Sequence, residues 1–384
     1  MPKKIGQIIF LTIDFPPMSG GMARHSLDIA RAIKGAGEEV TVITSGVSVS
    51  EKYEDKTGLR VIRLKGVRAG RCFDHYFRSL LIFFIYGFIY CLSHPVRAVF
   101  VNTWSLIGPA ALVLSKIFSI PYFVFAHGLD VYAPLKDKKA MWLMKLVLRN
   151  SSLVLAISRY TRDLLGREIK GLNSMVLNPV VDLSRFEFFF GRINSVSENK
   201  KVILTVGRLV ESKNHESVIR AMPNVIKAIP EAMYHIVGDG PAEQSLRQIV
   251  ADLGLKDKVV FEGNIADEEL PGYYYSCDIF VLVSREIPER GEVEGFGIVF
   301  LEAAACSKAV IAGKSGGISD AVLDGVTGIL VDPLDVEAIS SGIIKLLSDD
   351  EFRKRLGENS RKRVEETLST DKLSESIKGI LDAE

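Results

Sequence analysis

Between Glu286 and Gly317 the chain reads EIPERGEVEGFGIVFLEAAACSKAVIAGKSGG, and four kinds of signal fall within these thirty or so residues. A charged loop containing proline and glycine ends at Glu294, and a Gly295-Phe296-Gly297 turn follows. An apolar, helix-like run from Ile298 to Ala305 then carries one carboxylate, Glu302. After it come a short strand, Ala309 to Ala312, and a second glycine turn at Gly316-Gly317. A carboxylate inside an apolar run is costly to bury unpaired, so Glu302 is expected to face a polar ligand or partner. Its spacing from Glu294 sets one acid on a loop above a helix N-terminus and the other about two turns down the helix. That N-terminus is itself an anion site. Two hydroxyl-seeking carboxylates around an anion-seeking backbone would suit a sugar nucleotide.

The elements that must position these groups repeat one pattern twice. Gln7 to Ile13 reads as a buried parallel strand stopped by Pro16-Pro17. Ser19-Gly20-Gly21 leads into a helix marked by Leu27, Ile29, Ala30 and Ile33, closed by Gly35 and Gly37, and Val40 to Thr44 is the next strand. This is the opening of a doubly wound α/β fold. The GxGxxG fingerprint is absent, which argues against a dinucleotide dehydrogenase. Residues 59–64, Ala98 to Asn102, Tyr122 to Ala126 and Val154 to Ser158 give further strands, with helices from Leu106 to Phe118 and from about Tyr160-Thr161. His127-Gly128-Leu129-Asp130 directly follows the strand ending at Ala126. Ligands of open α/β sheets bind beyond the carboxyl ends of strands, so His127 is a site candidate.

The second half restarts at Lys201 to Val206, followed by Gly207-Arg208-Leu209 and Lys213. A helix from Glu216 to Ile229 leads to Ala232–Val237 and Gly238-Asp239-Gly240. A helix from Glu243 to Leu253 leads to Val259–Phe261 and Gly263-Asn264, and strands at Ile279–Val283 and Ile329–Val331 precede a helical, charge-paired C-terminus. The charged segment Arg192 to Lys201 reads as an interdomain linker. The architecture expected is two Rossmann-like domains with a cleft between them, over residues 1–190 and 191–365, with 366–384 as a terminal helix.

Composition narrows the class. A chain of 384 residues exceeds one ordinary core, and 47% hydrophobic with 25% charged residues is ordinary globular composition. A net charge of +1 offers no electrostatic case for nucleic acid. Cys72, Cys91, Cys277 and Cys306 show neither CxxC pairing nor metal-ligand spacing, and read as reduced thiols of a cytosolic protein. The apolar run near the N-terminus contains Asp14 and lacks a small-residue cleavage site, so it reads as a first strand rather than a signal peptide. The most apolar segment, Phe77 to Leu92, is shorter than the ~20 residues that span a bilayer and reads as a helix wedged in the N-terminal core. Its flanking Arg71, Arg78 and Arg97 keep a second reading open, a monotopic membrane patch or lipid-facing groove.

Gly207-Arg208-Leu209…Lys213, Gly238-Asp239-Gly240-Pro241 and Glu294-x7-Glu302 followed by Gly316-Gly317 together resemble the retaining glycosyltransferases of family 4, which have the GT-B fold. Gly20-Gly21 and His127 lie where that family places them, and the resemblance covers nearly the whole chain. The run from Pro288 to Val299 is most similar to the phosphatidylinositol mannosyltransferases that use GDP-mannose.

The resemblance implies an acceptor-binding first domain, a nucleotide-sugar-binding second domain and a C-terminal helix packing back on the first. It implies that Arg208 and Lys213 hold the donor diphosphate, the first as a bidentate fork and the second as a point charge. Glu302 would accept from the ribose hydroxyls, and Glu294 would bind the transferred sugar and steady charge at its anomeric centre. A helix-capping role for Glu294 is the plainer alternative. Backbone N–H groups of Gly295, Phe296, Gly297 and Ile298 would add donors to the phosphates. Gly20 and Gly21 would allow close approach of the first loop to diphosphate or acceptor, or form an ordinary tight turn. Gly263, Asn264 and Ile265 would offer backbone groups to the nucleobase, and His127 would lie beside the 6-hydroxyl of the transferred sugar.

The reaction expected is hexose transfer, mannose from GDP-mannose, to a lipid-linked or cell-envelope glycan. The enzyme would be cytoplasmic or peripheral on the inner face of the plasma membrane. No Asp-x-Asp motif occurs, and a diphosphate met by Arg and Lys needs no cation, so metal independence is expected. A UDP-glucose or UDP-N-acetylglucosamine transferase, a GT-B sugar-nucleotide epimerase, and a non-catalytic sugar-nucleotide binder are the alternatives.

Overall fold

Near-continuous apolar runs such as QIIFL and YFVFA become strands buried on both faces, as parallel strands must be. The computed structural model describes residues 6–18, 20–46, 58–67, 73–187 and 200–383. The chain divides into two units, residues 1–179 with 370–384, and residues 180–369.

The first unit runs β1 (Gln7–Leu11), α1 (Gly21–Gly35), β2 (Val40–Ser45), β3 (Arg60–Leu64), α2 (Phe73–Ser93) and β4 (Val96–Val101). It continues with α3 (Gly108–Phe118), β5 (Tyr122–Ala126), α4 (Leu129–Tyr132), α5 (Lys138–Arg149), β6 (Leu153–Ala156), α6 (Arg159–Glu168) and β7 (Ser174–Val176). Its sheet has the order β3-β2-β1-β4-β5-β6-β7, with every pairing parallel. Strand order runs outward in both directions from β1 and β4, so the crevice at their carboxyl ends is the place for a ligand.

One sheet face is covered by α2, α3, α5 and α6. Phe83, Ala110, Ala111, Met144, Val147 and Leu165 from these helices share a core with Ile9, Leu11, Val99, Val101 and Val124. Burying a side chain such as Phe83 contributes about 1.5–3 kcal/mol. The apolar helix α2 is not wedged into this core. Between Tyr76 and Ser93 it buries one edge, Ser79, Phe83, Gly87 and Tyr90, and leaves most of its surface outside. A Cβ at Gly87 would come within 2.7 Å of Leu114, so this glycine sets how closely α2 approaches α3.

The second unit begins with α7 (Ser184–Glu187), β8 (Lys201–Val206), α8 (His215–Ala228), β9 (Ala232–Val237), α9 (Glu243–Asp252), β10 (Val259–Gly263) and α10 (Leu270–Ser276). It ends with β11 (Ile279–Leu282), α11 (Ile298–Ala305), β12 (Ala309–Gly313), α12 (Ile318–Ala321), β13 (Gly328–Val331), α13 (Val336–Ser348) and α14 (Asp350–Thr367). Its sheet is parallel in the order β10-β9-β8-β11-β12-β13. The switch point lies between β8 and β11.

The last helix, α15 (Thr370–Asp382), belongs to the first unit. Its buried stripe is Leu373, Ile377, Ile380 and Leu381, and Arg97 Nη2 donates to the Leu381 carbonyl at 2.6 Å. The unit boundary falls at Pro179–Val180 rather than after residue 190. Phe186 on α7 is already buried edge-on against Tyr274, and Val181 N donates to Leu368 O at 3.0 Å, so both segments are anchored within the second unit. Residues 192–199 of the expected linker, and Cys72, lie outside the described residues. Cys91, Cys277 and Cys306 are free thiols.

Candidate active site

In the first unit the strand ends carry a buried polar cluster. Asn102 follows β4 and His127 follows β5. His127 Nε2 lies 2.6 Å from the Asn102 carbonyl oxygen and 2.9 Å from Asn102 Oδ1. A carbonyl oxygen only accepts, so Nε2 carries the proton, and in the neutral ring Nδ1 is left as an acceptor. Asn102 Nδ2 in turn donates to Ser26 Oγ at 2.8 Å, which fixes its amide. The His127 backbone N–H donates to Asp130 Oδ1 at 2.8 Å across Gly128, whose φ of 90° suits glycine.

Burial lowers the pKa of His127, opposed by Asp130, the Asn102 hydrogen bond and Asp14. Burial raises those of Asp14 and Asp130, and His127 opposes both shifts. His25, one turn into α1, stacks edge-on against His127 with ring centroids 5.3 Å apart. Neither His25 nitrogen has a hydrogen-bond partner among the described residues. Burial, then the neighbouring His127, hold its pKa well below the ordinary value. Gly20, at φ 112°, is the N-cap of α1 and makes no side-chain cap, and Gly20 and Gly21 are exposed. The first N–H groups of that helix thus face outward without a side-chain acceptor at the cap.

In the second unit Lys213, on a short 3-10 turn after β8, forms an ion pair with Glu294 Oε2, and Ser284 Oγ approaches the same oxygen at 3.4 Å. Arg208 is exposed on the neighbouring loop. Gly297, at φ 91°, opens α11 without a side-chain cap, and Gly295 and Phe296 are buried beneath it. Glu294 O accepts from Gly317 N at 2.9 Å, and Glu286 Oε1 accepts from Gly316 N at 3.1 Å. A Cβ on Gly316 would meet Glu294 O at 2.3 Å, so the glycine turn exists to let the Glu294 loop close on it.

Glu302 lies apart from that pair in its contacts. Its Oε1 is 3.3 Å from Arg185 Nη1, and its Oε2 accepts from Tyr274 OH at 2.8 Å. Tyr274 is fully buried, and burial, then Glu302, raise its pKa well above the ordinary value. The carboxylate is therefore paired, as the cost of burying it requires, by partners the sequence did not single out.

Gly238 and Gly240 pack on backbone. A Cβ at Gly238 would stand 2.1 Å from Gly207 O, and one at Gly240 2.5 Å from Leu209 O. Gly238 N also donates to Gly263 O at 2.7 Å, so the loops after β8, β9 and β10 form one connected rim. Asn264 is exposed and Ile265 half-buried beside it. A cavity of ≈ 370 Å³ in this unit is lined by Leu204, His235, Glu262, Glu269 and Tyr273 among others, and includes none of the residues expected at the donor site.

The structure thus joins Lys213 to Glu294 and the Gly316-Gly317 turn, and gives Glu302 a separate setting. Asp14, His25, Asn102, Asp130, Arg185, Tyr274, Ser284 and Glu286 were missed. Asn102 and Asp130 were findable, one as the polar residue ending an apolar run and the other as an acid three residues past His127. Arg185 and Tyr274 meet Glu302 only in space.

Comparison with known proteins follows the same division. The family described as Glycosyl transferases group 1 matches residues 188–363, and the Glycosyl transferase 4-like domain matches residues 20–174. A GDP-mannose-dependent alpha-(1-6)-phosphatidylinositol monomannoside mannosyltransferase of Mycolicibacterium smegmatis is 34% identical, with 89% of each chain covered. The Mycobacterium tuberculosis protein of the same name is 26% identical with 98% of each covered. Among solved structures, sucrose-phosphate synthase from Thermosynechococcus elongatus superposes with a TM-score of 0.83 at 24% identity over 98% of each chain. Anabaena HepE, in complex with UDP and glucose, gives 0.77 at 20% identity over 99% of this chain and 100% of its own.

Proposed function

The chain belongs to the group 1 glycosyl transferases of glycosyltransferase family 4, built on the GT-B fold, and we propose that it transfers mannose from GDP-mannose to a lipid-linked glycan acceptor with retention of anomeric configuration. The observation that carries the donor and acceptor reading is the 34% identity to a mannosyltransferase whose name specifies both, over 89% of each chain.

The site chemistry supports this reading. Arg208 and Lys213 would neutralise the leaving diphosphate, which replaces the charge a divalent cation would otherwise supply, so no metal is required. Lys213 is held beside Glu294, so one ion pair would set the ammonium that meets the phosphate against the carboxylate that binds the sugar hydroxyls. The uncapped start of α11 would add backbone donors. Arg185 and Tyr274 hold the Glu302 carboxylate in place, and each of its oxygens keeps a second lone pair for a ribose hydroxyl.

Neutral His127, with Nδ1 left as an acceptor, would take a hydrogen bond from a sugar hydroxyl. It is a positioning group and not a general base, because the donor phosphate oxygen would take the acceptor's proton. Catalysis then rests on alignment and on charge stabilisation of the leaving group. A lipid acceptor sets the reaction at the cytoplasmic membrane surface, and we place the protein there as a peripheral enzyme.

The deciding experiment offers GDP-mannose, UDP-glucose and UDP-N-acetylglucosamine separately, each with a phospholipid extract containing phosphatidylinositol mannosides. Nucleoside diphosphate release and labelled lipid are then measured. GDP release with mannosylated lipid of α configuration is expected. Turnover with a UDP-sugar alone, hydrolysis without transfer, or tight nucleotide binding without turnover would each replace this reading with the corresponding alternative.

A further inference from the structure

Strands β8, β9 and β10 present different chemistry on their two faces. Ile203, Tyr234, Ile236 and Val259 share the core of the second unit with α8 and α9. Successive strand residues alternate, so Leu204, Met233, His235 and Glu262 lie on the opposite face. There Tyr274 from α10 and Phe300 from α11 pack against Phe280, the β11 neighbour of Leu204. Farther out along the sheet the cover thins, and Met233, His235 and Glu262 stay half-buried. A parallel strand covered on both faces is apolar throughout, whereas β9 reads AMYHIV and alternates buried with half-buried positions. His235 and Glu262 thus belong to a face that keeps polar groups.

The cavity of ≈ 370 Å³ lies on this face, between the strands and α10. Val202 and Leu204 supply apolar lining from β8, His235 and Glu262 come from β9 and β10, and Glu269 and Tyr273 come from the start of α10. Its size and its apolar lining with a few converging polar groups are those of a small-molecule site. Among the described residues the lining holds two carboxylates and neither lysine nor arginine. Glu262 Oε1 lies 2.6 Å from His235 Nδ1, and Oε2 accepts from the Tyr273 hydroxyl at 3.4 Å. A carboxylate oxygen only accepts, so the hydrogen of the first contact sits on Nδ1. Such a lining repels phosphates and carboxylates, and therefore does not suit the anionic donor. It suits an ammonium: carboxylates meet the charge, an aromatic ring attracts a cation, and the apolar residues take a hydrocarbon body.

We propose that this cavity binds a small organic ammonium, its charged head between Glu262 and Glu269 and its apolar body on Val202 and Leu204. The site shares no residue with the expected donor site, so its ligand is a different molecule from the sugar nucleotide. Glu262 directly precedes Gly263, whose carbonyl accepts from Gly238 N, so an occupant adjoins the rim of loops after β8, β9 and β10. The assignment goes beyond the transfer reaction and is independent of which sugar or acceptor is used.

The full chain, without sugar nucleotide, is titrated with phenethylamine, phenethyl alcohol and hydrocinnamate, followed by calorimetry and saturation-transfer NMR. The three probes share a phenyl ring and a two-carbon arm, which ends in an ammonium, a hydroxyl or a carboxylate. Phenethylamine should bind saturably with a Kd of about 1 mM or tighter, the range open to a ligand of this size. The alcohol should bind roughly tenfold more weakly, and the carboxylate not at all. Glu262→Gln with Glu269→Gln should weaken phenethylamine binding roughly tenfold and erase its advantage over the alcohol. Unchanged thermal melts confirm the fold; if this pair melts early, Tyr273→Leu takes its place and should weaken the amine alone. Absence of saturable phenethylamine binding, equal binding of the alcohol, affinity unchanged by the substitutions, or displacement of the amine by GDP would each overturn the proposal. Since neither sugar donor nor acceptor takes part, the outcome is separate from that of the transfer assay.

Discussion

Lys213 and Glu294 form an ion pair, the lysine side chain 25% exposed and the glutamate 15%. It joins the group proposed to meet the leaving phosphate to the group proposed to meet the sugar. Neither can be altered without changing the charge beside the other.

A double-mutant cycle tests that coupling. Lys213→Ala should cost about 10²-fold or more in kcat/KM, the scale seen when one preorganised charge-stabilising donor is removed. Glu294→Gln should cost a comparable factor, mostly in kcat. Because each single change leaves its partner uncompensated, the double variant should lose less than the product of the two. Strict multiplicativity in steady-state kinetics would show that the pair acts as independent groups. Full activity in Glu294→Gln would remove that residue from the mechanism.

Glu302 should behave differently. Tyr274→Phe removes a buried hydrogen bond to a carboxylate and should lower stability by about 1–3 kcal/mol in urea unfolding. Its kinetic effect should appear in donor KM more than in kcat, because the carboxylate is assigned to the ribose and not to the reacting centre. A kcat effect equal to that of Lys213→Ala would reassign Glu302.

Acid should unfold the protein through its buried imidazoles. His25, His127 and His215 all have lowered pKa values, with burial as the first cause; for His215 burial, then Lys213, bring it down to about 3. The unfolded chain therefore binds more protons than the native one below the unfolded imidazole value of about 6.5. Stability from these groups is fully present above that pH and falls as pH drops toward the folded values. For His215 the window runs from about 6.5 down to about 3. Urea midpoints should decline from pH 7 to pH 5, and His215→Leu should flatten the decline. An unchanged slope would exclude His215 as a contributor.

Two glycines distinguish packing from backbone conformation. Gly238 and Gly254 both have positive φ, at 130° and 68°. A Cβ at Gly238 would collide with Gly207 O at 2.1 Å, whereas one at Gly254 meets nothing within 4 Å. Gly254→Ala should cost only the conformational term, about 1–2 kcal/mol. Gly238→Ala should cost more and also depress activity, since it displaces the loop that carries Arg208. Equal costs in denaturant melts would contradict this.

Chelation completes the set. EDTA followed by desalting should leave transfer activity unchanged, because Arg208 and Lys213 are proposed to supply the positive charge. Loss of activity restored by Mg²⁺ would show that they do not suffice.

The α/β class, the doubled strand-and-loop pattern and most strand positions are determined by local sequence. Parallel strands covered on both faces must be apolar throughout, and each must end where the backbone leaves the sheet, so runs such as YFVFA announce themselves and His127 marks an end. The two glutamates were legible for the same reason, as polar residues in otherwise apolar or glycine-turned surroundings. Tertiary structure decided what those residues touch. Arg185 reaches Glu302 from 117 positions away, and Lys213 reaches Glu294 from 81. It also decided where α2 sits, with one edge on the core and most of its surface outside. Hydrophobicity specifies that a side chain should leave water. Which surface removes it, a sheet, a neighbouring helix or a bilayer, depends on which side the packed core leaves uncovered, and that is a property of the assembled sheet and helices rather than of the segment.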